Sequence, residues 1–186
     1  MPGPYDSFVR DALPPAGLLP DFLFDLPQHA YPERLNAAAE LVDRAVVEGD
    51  GERIAIRHAV GVTSYAELAD RSGRIARLLC QHEGLVPGNR VLLFGPNGAM
   101  LFAAWLGILK AGGVAVTVMP LLRAGEIATI LAKAEVFHAI VDARFRGEVE
   151  AAARESGRTL RLLSFEGDRG GGDIEREIEE IGRAHV

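Results

Sequence analysis

A single cysteine, Cys80, leaves no partner for an internal disulfide and no thiolate cluster for a metal. Long apolar runs are also missing. The longest, AMLFAAWLGIL at Ala99–Leu109, is far short of the ~20 residues that cross a bilayer. The N-terminal stretch MPGPYDSFVRDALPP has no charged segment leading into an apolar one, so no secretory leader is expected. There is no basic block either. Lys+Arg 20 against Asp+Glu 26 gives a net charge of −6, which argues against a nucleic-acid-binding module. The phosphate-loop pattern GxxxxGKS/T is absent, and no GxGxxG lies between a strand and a helix. Among His29, His58, His82, His138 and His185 no two share HxxxH or HExxH spacing, so no zinc site is expected. These absences point to a cytoplasmic protein without a membrane span.

What is present is an ordinary globular composition, 48% hydrophobic and 25% charged, enough for a core. Residues 1–50 are broken by Pro14, Pro15, Pro20, Pro27 and Pro32, which predicts an irregular, partly buried cap carrying the apolar FLFDLP, then a helix over Leu35–Val47. Arg53–His58 alternates, with Ile54 and Ile56 on one face. Val60-Gly61 can turn the chain into a return strand at Val62–Ser64, so a hairpin is predicted. Ser64-Tyr65-Ala66-Glu67 has the spacing of a capping box. The helix behind it carries the stripe Tyr65, Leu68, Ala69, Ser72, Ile75, Ala76, Leu79.

A strand–helix alternation follows. Strands are predicted at Val91–Phe94, Val114–Val118, Phe137–Val141 and Leu160–Phe165, with helices between them. That pattern means βαβ units, an α/β fold and a mostly parallel sheet covered by helices on both faces. The helix Asn97–Ala111 is apolar almost all round and should pack inside. Lys110, at its end, reads as a cation satisfying the helix dipole rather than as a catalytic amine, and Gly112 or Gly113 can close the helix in the left-handed conformation.

Few residues offer chemistry. Asp142 ends a strand on the side where α/β proteins bind ligands, and it can equally cap the next helix. His138 reads as a core or edge residue, Trp105 as packing, Cys80 as an inert thiol, and Arg123 and Glu126 as solvated. GDRGGGD at Gly167–Asp173 lacks Lys-Ser/Thr and is read as the start of a flexible linker. No catalytic, cofactor-binding or metal-binding residue is assigned.

Several stretches together resemble the adenylate-forming (AMP-binding) acid–CoA ligases. TSYAEL (Thr63–Leu68) is similar to the family's first core motif and LKAGGVAVTVMP (Leu109–Pro120) to its second; both are architectural. Asp21–Arg44, Leu85–Asn97 and Met119–Ile127 are most similar to the benzoate and 2-aminobenzoate CoA ligase branch. The resemblance covers about residues 5–165. It implies an incomplete N-terminal subdomain of the ligase fold. The reaction it implies joins a carboxylate to CoA at the expense of ATP, with Mg²⁺, through an acyl-adenylate. A fatty or other aryl acid, or a non-catalytic α/β binding module, are the alternatives.

The family's Ser/Thr/Gly-rich loop ending in Pro-Lys, its Tyr-Gly-x-Thr-Glu stretch, its ribose-binding aspartate, its hinge and its C-terminal lysine are all missing here. The chain alone is therefore expected to be inactive and to bind ATP, CoA and Mg²⁺ poorly, its partner being the missing C-terminal part. The expected layout is a cap and helix over 1–50, a partial AMP-binding domain over 51–166 and a linker over 167–180. Residues 181–186 match six codons of a common sequencing adapter followed by a stop, so that tail is expected to be adapter-encoded.

Overall fold

In the computed structural model, which describes residues 5–21, 23–167 and 171–183, the strand–helix alternation closes into a four-stranded parallel sheet. The elements before the sheet are a short helix α1 (Phe8–Asp11), a helix that runs wide over Ala39–Asp43 and regular over Arg44–Val47 (α2), and an antiparallel hairpin of β1 (Ile54–His58) and β2 (Gly61–Ser64). Then come α3 (Tyr65–Arg77, continuing as a wide-turned stretch over Leu78–His82), β3 (Arg90–Phe94), α4 (Ala99–Lys110), β4 (Val114–Val118), α5 (Ala124–Lys133), β5 (His138–Asp142), α6 (Arg146–Ser156), β6 (Arg161–Phe165) and α7 (Asp173–Arg183). The strand order is β4-β3-β5-β6.

The near-continuous apolar strands are explained by two cores, one on each face of the sheet. Val91, Leu93, Ile140, Leu163 and Phe165 face one way, against α3, α4, α7 and the Ala38 and Val42 side of the helix leading into α2. Leu92, Phe94, Ala139 and Val141 face the other way, against Ile127 and Leu131 of α5 and Val149 and Ala152 of α6. The alternation along each strand is the two-residue period of the pleat.

The predicted capping box forms: Ser64 Oγ accepts the Glu67 N–H at 3.2 Å, and the Glu67 carboxylate accepts the Ser64 N–H at 2.8 Å. Gly112 closes α4 with φ +76°.

Five local expectations need correction. The hairpin turns at Ala59 and Val60, and a bulge between Ile54 and Ile56 breaks the alternation, leaving Ile56 and Ala55 against the core and Ile54 exposed. The helix predicted from Leu35 starts at residue 37, because Asn36 caps it: Asn36 Oδ1 accepts the N–H of Ala38 at 3.1 Å and of Ala39 at 3.3 Å. In the cap Asp6 and Phe8 are half-buried as expected, but the apolar FLFDLP is not: Leu23, Phe24 and Leu26 are exposed, and Phe22 lies outside the described residues. In α4 one stripe is not inside: Phe102 is 42% exposed and stacks on Trp105 with ring centroids 5.7 Å apart. The stretch read as a linker over 167–180 contains most of α7, whose Ile174 and Ile178 are buried in the first core and whose Ile181 packs beside them. Of the six terminal residues read as adapter-encoded, 184–186 lie outside the described residues.

The N-terminal end of the sheet is closed by Arg90, a buried cation whose side chain is 3% exposed. It donates to the carbonyls of Ala134 (2.8 Å), Glu135 (3.0 Å) and Gly88 (3.0 Å), and pairs with the Asp6 carboxylate. The Phe8 ring lies 4.4 Å from the guanidinium. Burial alone would push the Asp6 carboxyl up, but the Phe8 N–H, Arg90 and Asn89 together hold it below the usual carboxylate range.

Replacing Arg90 by Met should cost about 3 kcal/mol in urea unfolding, because three carbonyls, one buried and two part-buried, and one carboxylate lose their donor together. A loss under about 1 kcal/mol would show that water replaces the guanidinium. The exposed apolar side chains of the cap and of α4 should make the isolated chain self-associate, measurable by light scattering against concentration. A monomer that unfolds cooperatively would contradict this.

Candidate functional site

The C-terminal ends of β3, β5 and β6 open into a cleft of about 560 Å³. Parallel sheets gather their loops at this end, which makes it the place where α/β proteins take ligands. Pro96, Asn97 and Gly98 follow β3, Asp142 ends β5 with Arg144 beyond it, and Glu166 and Gly167 follow β6. The turn residues Ala59 and Val60 of the hairpin complete the rim. Gly95 lets these loops converge: a Cβ there would stand 2.9 Å from Phe165 Cζ and 3.1 Å from Asp142 Cβ.

Among the described residues lining the cleft, Asp142 is the buried ionisable group, and Arg144 takes three of its acceptor positions. Oδ1 accepts the Arg144 backbone N–H at 3.0 Å and Arg144 Nε at 2.8 Å, and Oδ2 accepts Nη2 at 2.7 Å. Burial pushes the carboxyl up, yet the guanidinium and the N–H outweigh it and hold Asp142 below its ordinary value. Of the two roles open from the sequence, the structure supports the cap: Asp142 starts the short 3₁₀ turn Ala143–Phe145 that leads into α6. Arg144 lies on the rim with its side chain 68% exposed.

The remaining candidates lie elsewhere. His138 is buried at the opposite end of β5, its Nε2 3.0 Å from the Glu83 carbonyl. Cys80 is an exposed residue, but its sulfur lies 3.9 Å from the Ala111 carbonyl in a part-buried contact, and this partial desolvation pushes the thiol up. Arg123 and Glu126 are exposed, and the Glu126 carboxylate accepts the Arg123 N–H at 3.0 Å to start α5.

Lys110 lies in the last turn of α4, as the helix-end reading expects, but its ammonium makes its bonds to other helices. Its Nζ pairs with Asp43 at 2.5 Å and donates to the Ala69 carbonyl of α3 at 3.2 Å. The end of α4 is capped by Asn36, whose Nδ2 donates to the Leu109 carbonyl at 2.9 Å. Asn36 and Arg90 are the residues that sequence reasoning missed. An Asn just before an apolar helical stripe is the only signal that pointed to the first. Among the described residues no group of three His, Cys, Asp or Glu side chains is placed to hold a metal ion. No helix of the described residues is long and apolar enough to cross a membrane.

With this geometry in place, comparison with known proteins is decisive. Residues 43–177 match the family described as AMP-binding enzyme. The chain belongs to that family. It is 34% identical over 139 residues to a salicyl-AMP ligase / salicyl-S-ArCP synthetase of Mycobacterium tuberculosis, which covers 73% of this chain and 24% of the relative. It is 31% identical over 115 residues to a benzoate–CoA ligase of Thauera aromatica, covering 62% of this chain and 22% of the relative.

The solved structure of a benzoate CoA ligase from Burkholderia xenovorans LB400 superposes with a TM-score of 0.68 at 26% identity, over 78% of this chain and 28% of that one. The anthranilate CoA ligase AuaEII superposes with a TM-score of 0.72 at 19% identity, over 83% of this chain and 29% of that one, and supports the fold. The chain thus spans about a quarter of the length of the relatives it matches. The α/β architecture read from the sequence, with a parallel sheet and helices on both faces, is the architecture of these ligases over that quarter.

Because Asp142 is held below its ordinary value, its contribution to stability is present above about pH 4 and is lost as the pH falls through the lowered value. Asp142→Asn should lower the urea midpoint at pH 7 by the equivalent of about 1 kcal/mol and leave it unchanged near about pH 2. An equal loss at both pH values would show that charge plays no part.

Proposed function

We propose that this chain is the N-terminal part of an ATP-dependent acid–CoA ligase acting on an aromatic carboxylic acid such as benzoate or 2-aminobenzoate. The observation that carries the reading is the family match over residues 43–177, on a fold whose cleft lies at the C-terminal ends of the strands. The aromatic acid is supported by the salicylate, hydroxybenzoate and benzoate ligases among the relatives. A fatty acid is the second reading, supported by a long-chain-fatty-acid–CoA ligase of Salmonella typhimurium, 28% identical over 145 residues.

A carboxylate is a poor electrophile, and adenylation by ATP supplies the leaving group that CoA then displaces. In this reading the chain contributes scaffold and one wall of a cleft. The groups that hold ATP phosphates and Mg²⁺ are supplied by the rest of the protein. ATP and CoA as co-substrates fit a reaction in the cytoplasm.

The purified chain, incubated with benzoate or 2-aminobenzoate, ATP, Mg²⁺ and CoA, should release no pyrophosphate and form no acyl-CoA above a protein-free blank. Turnover would overturn the fragment reading. Sequencing the locus beyond the codon for Glu180 should reveal a Ser/Thr/Gly-rich loop ending in Pro-Lys. A natural stop near Val186 would reduce the ligase reading to ancestry.

A further inference from the structure

The wall of the cleft after β6 is held from behind by α7. Asp173, the first residue of that helix, accepts the Ser164 N–H at 3.1 Å, the Ser164 hydroxyl at 2.6 Å and Arg146 Nη1 at 2.8 Å. Two residues on, Glu175 Oε1 accepts the Glu166 N–H at 3.0 Å. Glu166 and Gly167 line the cleft, so this bond ties the cleft wall to the helix. The other oxygen, Oε2, is buried and has no hydrogen-bond partner among the described residues. It is wedged against Gly172, where a Cβ would stand 2.4 Å from Oε2 and 2.5 Å from Phe165 Cα.

We infer that Glu175 is a positioning residue for the cleft: its protonated carboxyl holds the Phe165–Gly167 wall, and ionisation releases it. Ionised, the buried Oε2 would carry negative charge with no hydrogen-bond partner among the described residues, which costs more than a neutral group there. Besides burial, the N–H groups of Glu166 and of Glu175 itself and the guanidinium of Arg71 in α3 favour the charge, while the Glu166 carboxylate at the strand end disfavours it. Asp173, Arg176 and Glu179 share its helix, and His58, Asp70 and Arg74 line the groove beyond. Burial is the largest of these effects, and the Glu175 carboxyl is pushed above its ordinary value. The hold is therefore complete below the unfolded value of about 4.5 and is lost as the pH rises through the raised folded value. What the wall does for catalysis rests on the ligase reading. The link between Glu175 and the wall does not.

The test is amide hydrogen exchange on the full chain from about pH 5 to about pH 9, with protection of the Glu166 N–H taken relative to that of Ile140 in the central strand. In the wild type this ratio should fall about tenfold or more as the pH rises. In Glu175→Gln, which keeps the acceptor and cannot ionise, it should stay high throughout. In Glu175→Ala it should be low at every pH. If the alanine variant does not fold, the wild type and the Gln variant alone decide. A flat wild-type profile, or identical profiles in the wild type and the Gln variant, would overturn the inference and leave the ligase reading as it stood. Failure of the ligase reading would leave the exchange profiles unchanged.

Discussion

The guanidinium of Arg90 sits where the N-terminal segment, the start of β3 and the turn after α5 meet. A buried cation is costly unless its donors are used, and here three carbonyls, one carboxylate and a ring face use them. Glu135, one of the residues it holds, has φ +47°, a conformation that few side chains adopt without support. The central strand β3 begins at Arg90 and pairs with β4 on one side and β5 on the other, so the register of three strands starts from this cluster. All of this closure is at the N-terminal end of the sheet. The opposite end is left to loops, and the cleft is there.

The two faces of the sheet are held differently. The α5–α6 face is a compact apolar layer made by consecutive βαβ units. The α3–α4–α7 face draws on helices from both ends of the chain and is fastened by polar links: Lys110 to Asp43 and Ala69, Asn36 to Leu109, and Asp173 to Ser164. The cleft borrows its walls mainly from this second face, with the hairpin turn, the start of α4 and the loop before α7 meeting at its rim.

Much of the fold was legible because period and punctuation agree. Val114–Val118 is a strand as read, Ser64 and Glu67 make their box, and Leu68, Ser72, Ile75 and Leu79 of the stripe are buried with Ala69 and Ala76 half-buried beside them. What was not legible depends on contacts distant in sequence. Arg90 looks like an ordinary charge before a strand until Asp6 and the turn at Ala134 and Glu135 are brought to it. The partners of Lys110 lie on two other helices. α7 was hidden by its own entrance, because a glycine run reads as a linker even when Gly172 is there to let Glu175 approach the strand. The cleft's position followed from the parallel sheet, but no single residue of it carried a chemical signature, since Asp142 spends its carboxylate on Arg144.

Asn36 joins two helices of opposite polarity through one planar group: its oxygen meets the donors at the start of one helix and its nitrogen meets the acceptors at the end of another. Only an amide of this reach can do both. Deamidation to aspartate, a change of one heavy atom, would keep the first contact and set a negative oxygen against the negative pole of α4. Chemical ageing at this one position would therefore turn a staple between two helices into a repulsion, with nothing else in the chain altered.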